Sequence, residues 1–172
     1  MIEIVSERIG NKIYEWNDKK HVSPAVMKFA LISLFTNSLS IVLALLIGIM
    51  IGRTGEVALS LLAIATMRFL TGGYHFKKSL NCVIVSVGVS TIIPFIHINE
   101  ITKVVLSIIA VILVVIYAPS RLRGVSRVSE QGLQIRKWIA VTLVIVNLFL
   151  SYEILTLAFF AQSLSLITKK SG

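Results

Sequence analysis

The apolar positions of this chain fall into long runs separated by short polar stretches, and the runs predict helices. Residues 2–16 follow a different pattern: Ile2, Val5, Ile9, Ile13 and Trp16 recur at spacings of three and four with charged residues between them. That is the stripe of an amphipathic helix, suited to a membrane surface with Trp16 among the headgroups and equally to packing on the protein's own loops. Ser23 and Pro24 read as the start of a second helix. From Phe29 to Ile51 there are 23 residues without a charge, about 34 Å of helix and enough to cross a bilayer's hydrocarbon.

Beyond a short turn with Gly52, Arg53, Gly55 and Glu56, the run Val57–Leu70 is thin for a crossing, so it is either a short or tilted span or a re-entrant segment. Leu80–Ile98 reads as a third span with Pro94 near its end, and Ile101–Ala118 as a fourth that Pro119 stops. A basic stretch follows, with Arg121, Arg123, Arg127, Arg136 and Lys137, and then Trp138 at an interface position. The apolar sequence from Trp138 to Ile167 is too long for one untilted crossing and barely enough for two, with Glu153 in its middle. Five spans or six therefore remain open, the sixth requiring a turn near Ser151–Glu153.

Composition makes the surroundings lipid. Hydrophobic residues are 56% of the 172, mean hydropathy is +0.89, and a soluble core of this size does not need so much apolar side chain. The expected fold is an all-α polytopic membrane bundle in a single domain over residues 1–172. Residues 1–24 hold the amphipathic interfacial helix and about 29–167 the transmembrane bundle. A formal charge of +9 raises nucleic acid as a partner, but the basic residues lie between apolar runs and form no continuous face. Topology explains them better. If Val57–Leu70 crosses, residues 1–28, 68–79 and 119–137, with net charges of +1, +3 and +4, share one side, and the balanced turns at 52–56 and 97–103 share the other. By the positive-inside rule the first set is cytoplasmic. Residues 1–24 carry Glu3, Glu7, Glu15 and Asp18 and lack the apolar core of a cleavable signal, so the later spans are expected to direct insertion.

Chemistry concentrates in Arg68–Cys82. This stretch holds the only cysteine, one of three histidines, the pair Gly72-Gly73 and the cations Arg68, Lys77 and Lys78. One cysteine excludes an intramolecular disulfide, and with scattered histidines it makes a protein-only zinc cage a poor fit, so no metal or other cofactor is expected. With Ser79 as N-cap, Cys82 is the third residue of the next helix. There the helix dipole, together with Lys77 and Lys78, favours the thiolate. On one unbroken helix His75 would stand roughly 10 Å from Cys82 along the axis, too far for proton transfer at about 3 Å. If the glycines allow Thr71–Lys78 to fold over the helix start, a Cys–His pair results, the arrangement of covalent catalysis on peptide bonds. Cysteine as a small apolar filler and histidine as an ordinary interfacial residue are the plainer alternative. Asn81 points to another face, Ser86 shares the face of Cys82 one turn on, and Arg68 either anchors the loop or holds a substrate carboxylate.

The order and spacing of Arg68, Gly72-Gly73, His75 and Cys82, with Tyr117-Ala118-Pro119 ahead of a basic loop, resemble the accessory gene regulator B (AgrB) family. These are bacterial membrane cysteine peptidases that process a quorum-sensing propeptide. The resemblance covers nearly the whole chain and implies His75 and Cys82 as the catalytic pair, an AgrD-like amphipathic precursor as substrate, and ring closure to a thiolactone or lactone. It implies a multi-pass protein of the bacterial cell membrane, with the motif at the cytoplasmic face among membrane lipid. A homodimer is expected because so small a bundle gains from pairing. Phe76-Lys77-Lys78 makes the loop after the histidine more basic than the family pattern. The competing classes are a small transporter or export subunit that uses Glu153 as its intramembrane ionisable group, with Cys82 structural, and a non-enzymatic membrane partner.

Overall fold

A computed structural model describes residues 24–73, 79–119 and 129–167, with residues 6, 8–9, 11–13 and 15 nearer the N-terminus. Six α-helices have described bounds: α1 (Pro24–Met50), α2 (Thr54–Thr71), α3 (Ser79–Ile92), α4 (Glu100–Tyr117), α5 (Glu130–Leu150) and α6 (Glu153–Leu164). A 3-10 turn, Ile93–Phe95, follows α3. Among the described residues there is no β-strand, and the all-helical membrane fold is the one the apolar runs predict.

Local chemistry sets the helix ends. Pro24 opens α1, where a missing N–H costs nothing. The Asn99 side chain accepts the Thr102 N–H at 2.8 Å ahead of α4, and Ser129 Oγ accepts the Gly132 N–H at 3.2 Å ahead of α5. Glu100 and Glu130 then place a carboxylate against each helix's positive end. Pro94 cannot continue the α-helical ladder, and the chain tightens into the 3-10 turn. Tyr117 ends α4 with Ala118 extended before Pro119.

Among the described residues four helices are long and apolar enough to cross a membrane: α1 over Ala30–Met50, α2, α4 and α5. The thin run at 57–70 is thus part of an 18-residue helix, extended at both ends by polar residues that a scan for apolar sequence stops at. The segment α3 with its 3-10 turn and the helix α6 are shorter apolar helices. One boundary differs from expectation, and one open alternative is resolved. Helix α5 begins at Glu130, so residues 130–137 of the expected basic loop are helical, with Leu133 buried among polar neighbours. The long run after Trp138 breaks at Ser151, which takes a left-handed conformation with φ 51°, and the chain returns as α6. This is the two-segment alternative.

Contacts divide the chain into two compact units, Met1–Leu43 with Phe76–Val87, and Ala44–His75 with Gly88–Gly172. In the first, the described residues between 6 and 15 are helical and Ile9 and Ile13 are exposed, leaving apolar side chains for a lipid surface. Its buried positions include Ser6, Thr36, Ser40, Cys82 and Val83. In the second unit, α6 packs against α2 and α4, and α5 lies along α4 and α2. Ala63, Ala110, Ala140 and Ala158 are buried in its core with Met67, Val114, Val144 and Phe159. Small residues let backbones approach, the packing that holds helices together where lipid is as apolar as the side chains. Large apolar residues point outward, with Ile101 76% and Phe149 83% exposed, as a lipid-facing surface requires.

Candidate active site

The polar turn that closes α2 is built on backbone geometry. Thr71, the last helical residue, is fully buried and its hydroxyl donates to the Met67 carbonyl at 2.7 Å. Gly72 then leaves the helix at φ 80°, ψ −146°, and Gly73 follows at φ 144°, conformations that L side chains rarely adopt. The Gly72 N–H still reaches the Arg68 carbonyl at 2.9 Å, but its own carbonyl has turned out of the helix. Gln162 of α6 meets it, donating Nε2–H to the Gly72 oxygen at 2.9 Å. Contact is close enough that a Cβ on Gly73 would stand 2.7 Å from Ser165 Oγ and 2.9 Å from Gln162 Nε2. The double glycine is therefore a docking surface for the end of α6.

Arg68 lies in the last turn of α2, half-buried, where a cation suits the negative helix end. One residue on, exposed Phe69 carries the Arg136 guanidinium 4.7 Å from its ring centre. The start of α5 and the end of α2 thus lie at the same end of the larger unit, as the grouping of basic segments anticipates.

Cys82 belongs to the smaller unit. Helix α3 starts at Ser79 itself, so Cys82 is its fourth residue instead of the third, still within the first turn. The thiol-bearing residue is buried, Asn81 is exposed on another face, and Ser86, one turn on, is half-buried. His75, Lys77 and Lys78 lie outside the described residues, as do Arg121, Arg123 and Arg127.

At the opposite end of the larger unit the contacts are ionic. Arg53 donates to the Pro94 carbonyl, reaches Glu56 at 3.3 Å and lies 4.9 Å from the centre of the Phe95 ring. Glu153, first residue of α6, accepts the Ile98 N–H and stands 3.4 Å from His97 Nδ1. The Ile98 N–H chiefly holds its carboxyl below the usual carboxylate range, helped by His97 and Lys103 and opposed by partial burial. Lys103 bonds the Ser151 carbonyl at 3.1 Å and Glu100 at 2.5 Å. Glu153 is thus a helix-start residue in a joining turn with local partners, not an ionisable group midway along a span.

Gln162 and Ser165 escaped the sequence reading. The signal was there: an amide inside an apolar run is expensive in a membrane and asks for a partner.

Apolar helices, four of them among the described residues long enough to cross a membrane, with a buried thiol at the start of one helix and a double glycine nine and ten residues before it, define a class of integral membrane protein with a candidate nucleophile. The family model for accessory gene regulator B, AgrB, matches residues 6–168, and the chain belongs to that family, membrane proteins of the agr quorum-sensing system. No curated protein and no solved structure matches the chain.

Proposed function

We propose that the protein is a membrane cysteine endopeptidase that cuts the C-terminal part from a short amphipathic autoinducer precursor and promotes cyclisation of the remainder. The family match over residues 6–168, together with the resemblance of Arg68, Gly72-Gly73, His75 and Cys82 to that family's motif, supports this reading. His75 takes the thiol proton and the Cys82 sulfur attacks a carbonyl of the precursor. The C–N bond breaks, the imidazolium gives its proton to the leaving amine, and the remaining peptide is held as a thioester. A cysteine or hydroxyl side chain of that peptide then attacks the thioester carbonyl, the ring closes as a thiolactone or lactone, and its proton returns to the Cys82 thiol. Exchange of one thioester for another is nearly isoenergetic, so ring closure competes with hydrolysis when the peptide is held folded and water is kept away.

Arg68, Lys77 and Lys78 supply positive charge for substrate carboxylates, and Ser86 supports the site from the next turn of α3. The site faces the cytoplasm, where the amphipathic precursor already lies on the lipid, and the protein works as a homodimer. Glu153 has partners that give it a structural task at the other end of the larger unit, which favours the thiol over the carboxylate as the working group.

The test is co-expression with an AgrD-like precursor and mass spectrometry of the products for the wild type, Cys82→Ala and His75→Ala. Only the wild type should release the C-terminal fragment and a remainder with the mass of a dehydrated ring. Equal cutting by Cys82→Ala sinks the proposal.

A further inference from the structure

We infer that the larger unit has a hydrophobic thickness of only about 21 Å and selects phospholipids with short acyl chains as the lipid around it. The inference rests on two polar layers within that unit and holds whatever reaction Cys82 performs. Hydrogen bonds between helix ends fix the first layer: Arg53 on the Pro94 carbonyl, Glu153 on the Ile98 N–H, and Lys103 on the Ser151 carbonyl. In the second, Arg136 of α5 lies over the ring of Phe69, the residue after Arg68, and Gln162 of α6 donates to the Gly72 carbonyl. All of these residues belong to Ala44–His75 and Gly88–Gly172.

Helix rise measures the gap between the layers. Arg53 to Arg68 is 15 positions along α2, with only Glu56, the partner of Arg53, charged between them. Lys103 to Tyr117 on α4 and Lys137 to Ser151 on α5 are 14 positions each, without a charge between. Each distance is about 21–22 Å. Helix α6 is shorter still: its 12 residues, about 18 Å, reach from Glu153 in one layer to Gln162 in the other. An ordinary hydrocarbon core is about 30 Å thick, so the unit falls short by about 8 Å. Long cations rescue a short span when they are free to reach outward to the headgroups. Here Arg53, Lys103 and Arg136 have their charged ends engaged on Pro94, Ser151 and Phe69, so they mark the boundary instead of extending it. Trp138 follows Lys137 and Tyr152 follows Ser151; both rings are exposed, at the positions where aromatic side chains meet headgroups. A long helix such as α1 can tilt in a thin bilayer, whereas short spans tied together at both ends cannot lengthen. The lipid is the partner that adapts.

The experiment reconstitutes the full chain at low density into phosphatidylcholine vesicles whose monounsaturated chains run from about 14 to about 22 carbons, and melts the protein in each. The melting temperature should be highest in the shortest chains and fall steadily as they lengthen. A second measurement reads Trp138 fluorescence in Trp16→Phe, with chain-brominated phosphatidylcholine as quencher. Brominated short-chain lipid in a long-chain background should occupy the protein surface about threefold more strongly than brominated long-chain lipid in a short-chain background. In Arg136→Leu/Lys137→Leu, which moves the charged boundary of α5 outward, that ratio should fall toward one.

A melting temperature that ignores chain length, or peaks in the longest chains, overturns the inference, as does a lipid ratio of one or below with Arg136 and Lys137 in place. Energy transfer between labelled copies that rises with chain length while the lipid ratio stays at one shows that a second copy covers the short spans, and also overturns it. A correctly inserted Arg136→Leu/Lys137→Leu protein with the unaltered ratio removes the cations as the boundary and the inference with them. If that variant does not insert, the melting series of the wild type decides.

Discussion

The two ends of the α2–α6 pair are held by opposite means. At the Gly72 end a neutral amide meets a neutral carbonyl in buried surroundings, and two glycines give up side chains to allow it. At the Glu153 end charged groups tie three turns together: Arg53 on the Pro94 carbonyl, Glu153 on the Ile98 N–H beside His97, and Lys103 on the Ser151 carbonyl. Neutral bonds tolerate burial, while charges are cheap only where water remains near. The difference teaches which end accepts substitution. Charged contacts with several partners lose one member and survive, whereas a steric fit against a backbone has no substitute.

The largest expected effect follows from the steric end. Gly73→Ala forces a methyl group against Ser165 Oγ and Gln162 Nε2 and holds a Cβ at φ 144°, which together should cost about 3 kcal/mol or more and lower the melting temperature of the detergent-solubilised protein. Cleavage should fall with it even at temperatures where the protein stays folded. A Gly73→Ala protein with wild-type melting and activity would remove the contrast between the ends.

Smaller is the effect expected at the ionic end. Glu153→Gln keeps the size and an acceptor for the Ile98 N–H but loses the charge, so it should cost about 1 kcal/mol, after allowance for solvent screening, with precursor cleavage within about threefold of wild type. Loss of function in Glu153→Gln, alongside normal function in Cys82→Ser, would turn the assignment toward transport. Between these extremes stands Asn147, buried in α5, whose Nδ2–H meets Thr156 Oγ1 at 2.8 Å while its Oδ1 finds no partner among the described residues. Asn147→Leu exchanges a half-satisfied amide for an apolar side chain of similar volume, and should leave the melting temperature within the equivalent of about 1 kcal/mol.

Much of the fold was legible because membrane helices announce themselves as uncharged runs, and the caps at Asn99 and Ser129 and the stop at Pro119 are local features. The start of α5 was not, because Glu130, Arg136 and Lys137 interrupt the apolar signal in the first two turns while Leu133 alone faces inward. Of the candidate site, the first-turn position of Cys82 follows from Ser79 within one residue, and the double glycine from its composition. The Gln162–Gly72 bond joins residues 90 positions apart; one sequence carries no sign of such a pairing beyond the oddity of a buried amide. Glu153 was conspicuous for the same reason, but whether it sat mid-span or at a turn depended on Ser151 taking a left-handed conformation, which no local rule demands of serine.

The smallest and most specific difference between the ends is in pH. The folded protein holds the Glu153 carboxyl below its usual value, first through the Ile98 N–H and then through His97 and Lys103. A depressed carboxyl contributes stability that is present above the unfolded pKa, about 4.3, and is lost as pH falls through the folded value. The melting temperatures of wild type and Glu153→Gln should therefore differ most near neutral pH and converge as the pH is lowered below the usual carboxylate range. At the Gly72 end neither partner titrates, so the gap between wild type and Gly73→Ala should stay constant over the same range. Melting curves of the three proteins at several pH values test this directly. A Glu153→Gln gap that does not change with pH would show that the carboxylate's charge does not hold the turn, and that the hydrogen bond to Ile98 alone suffices.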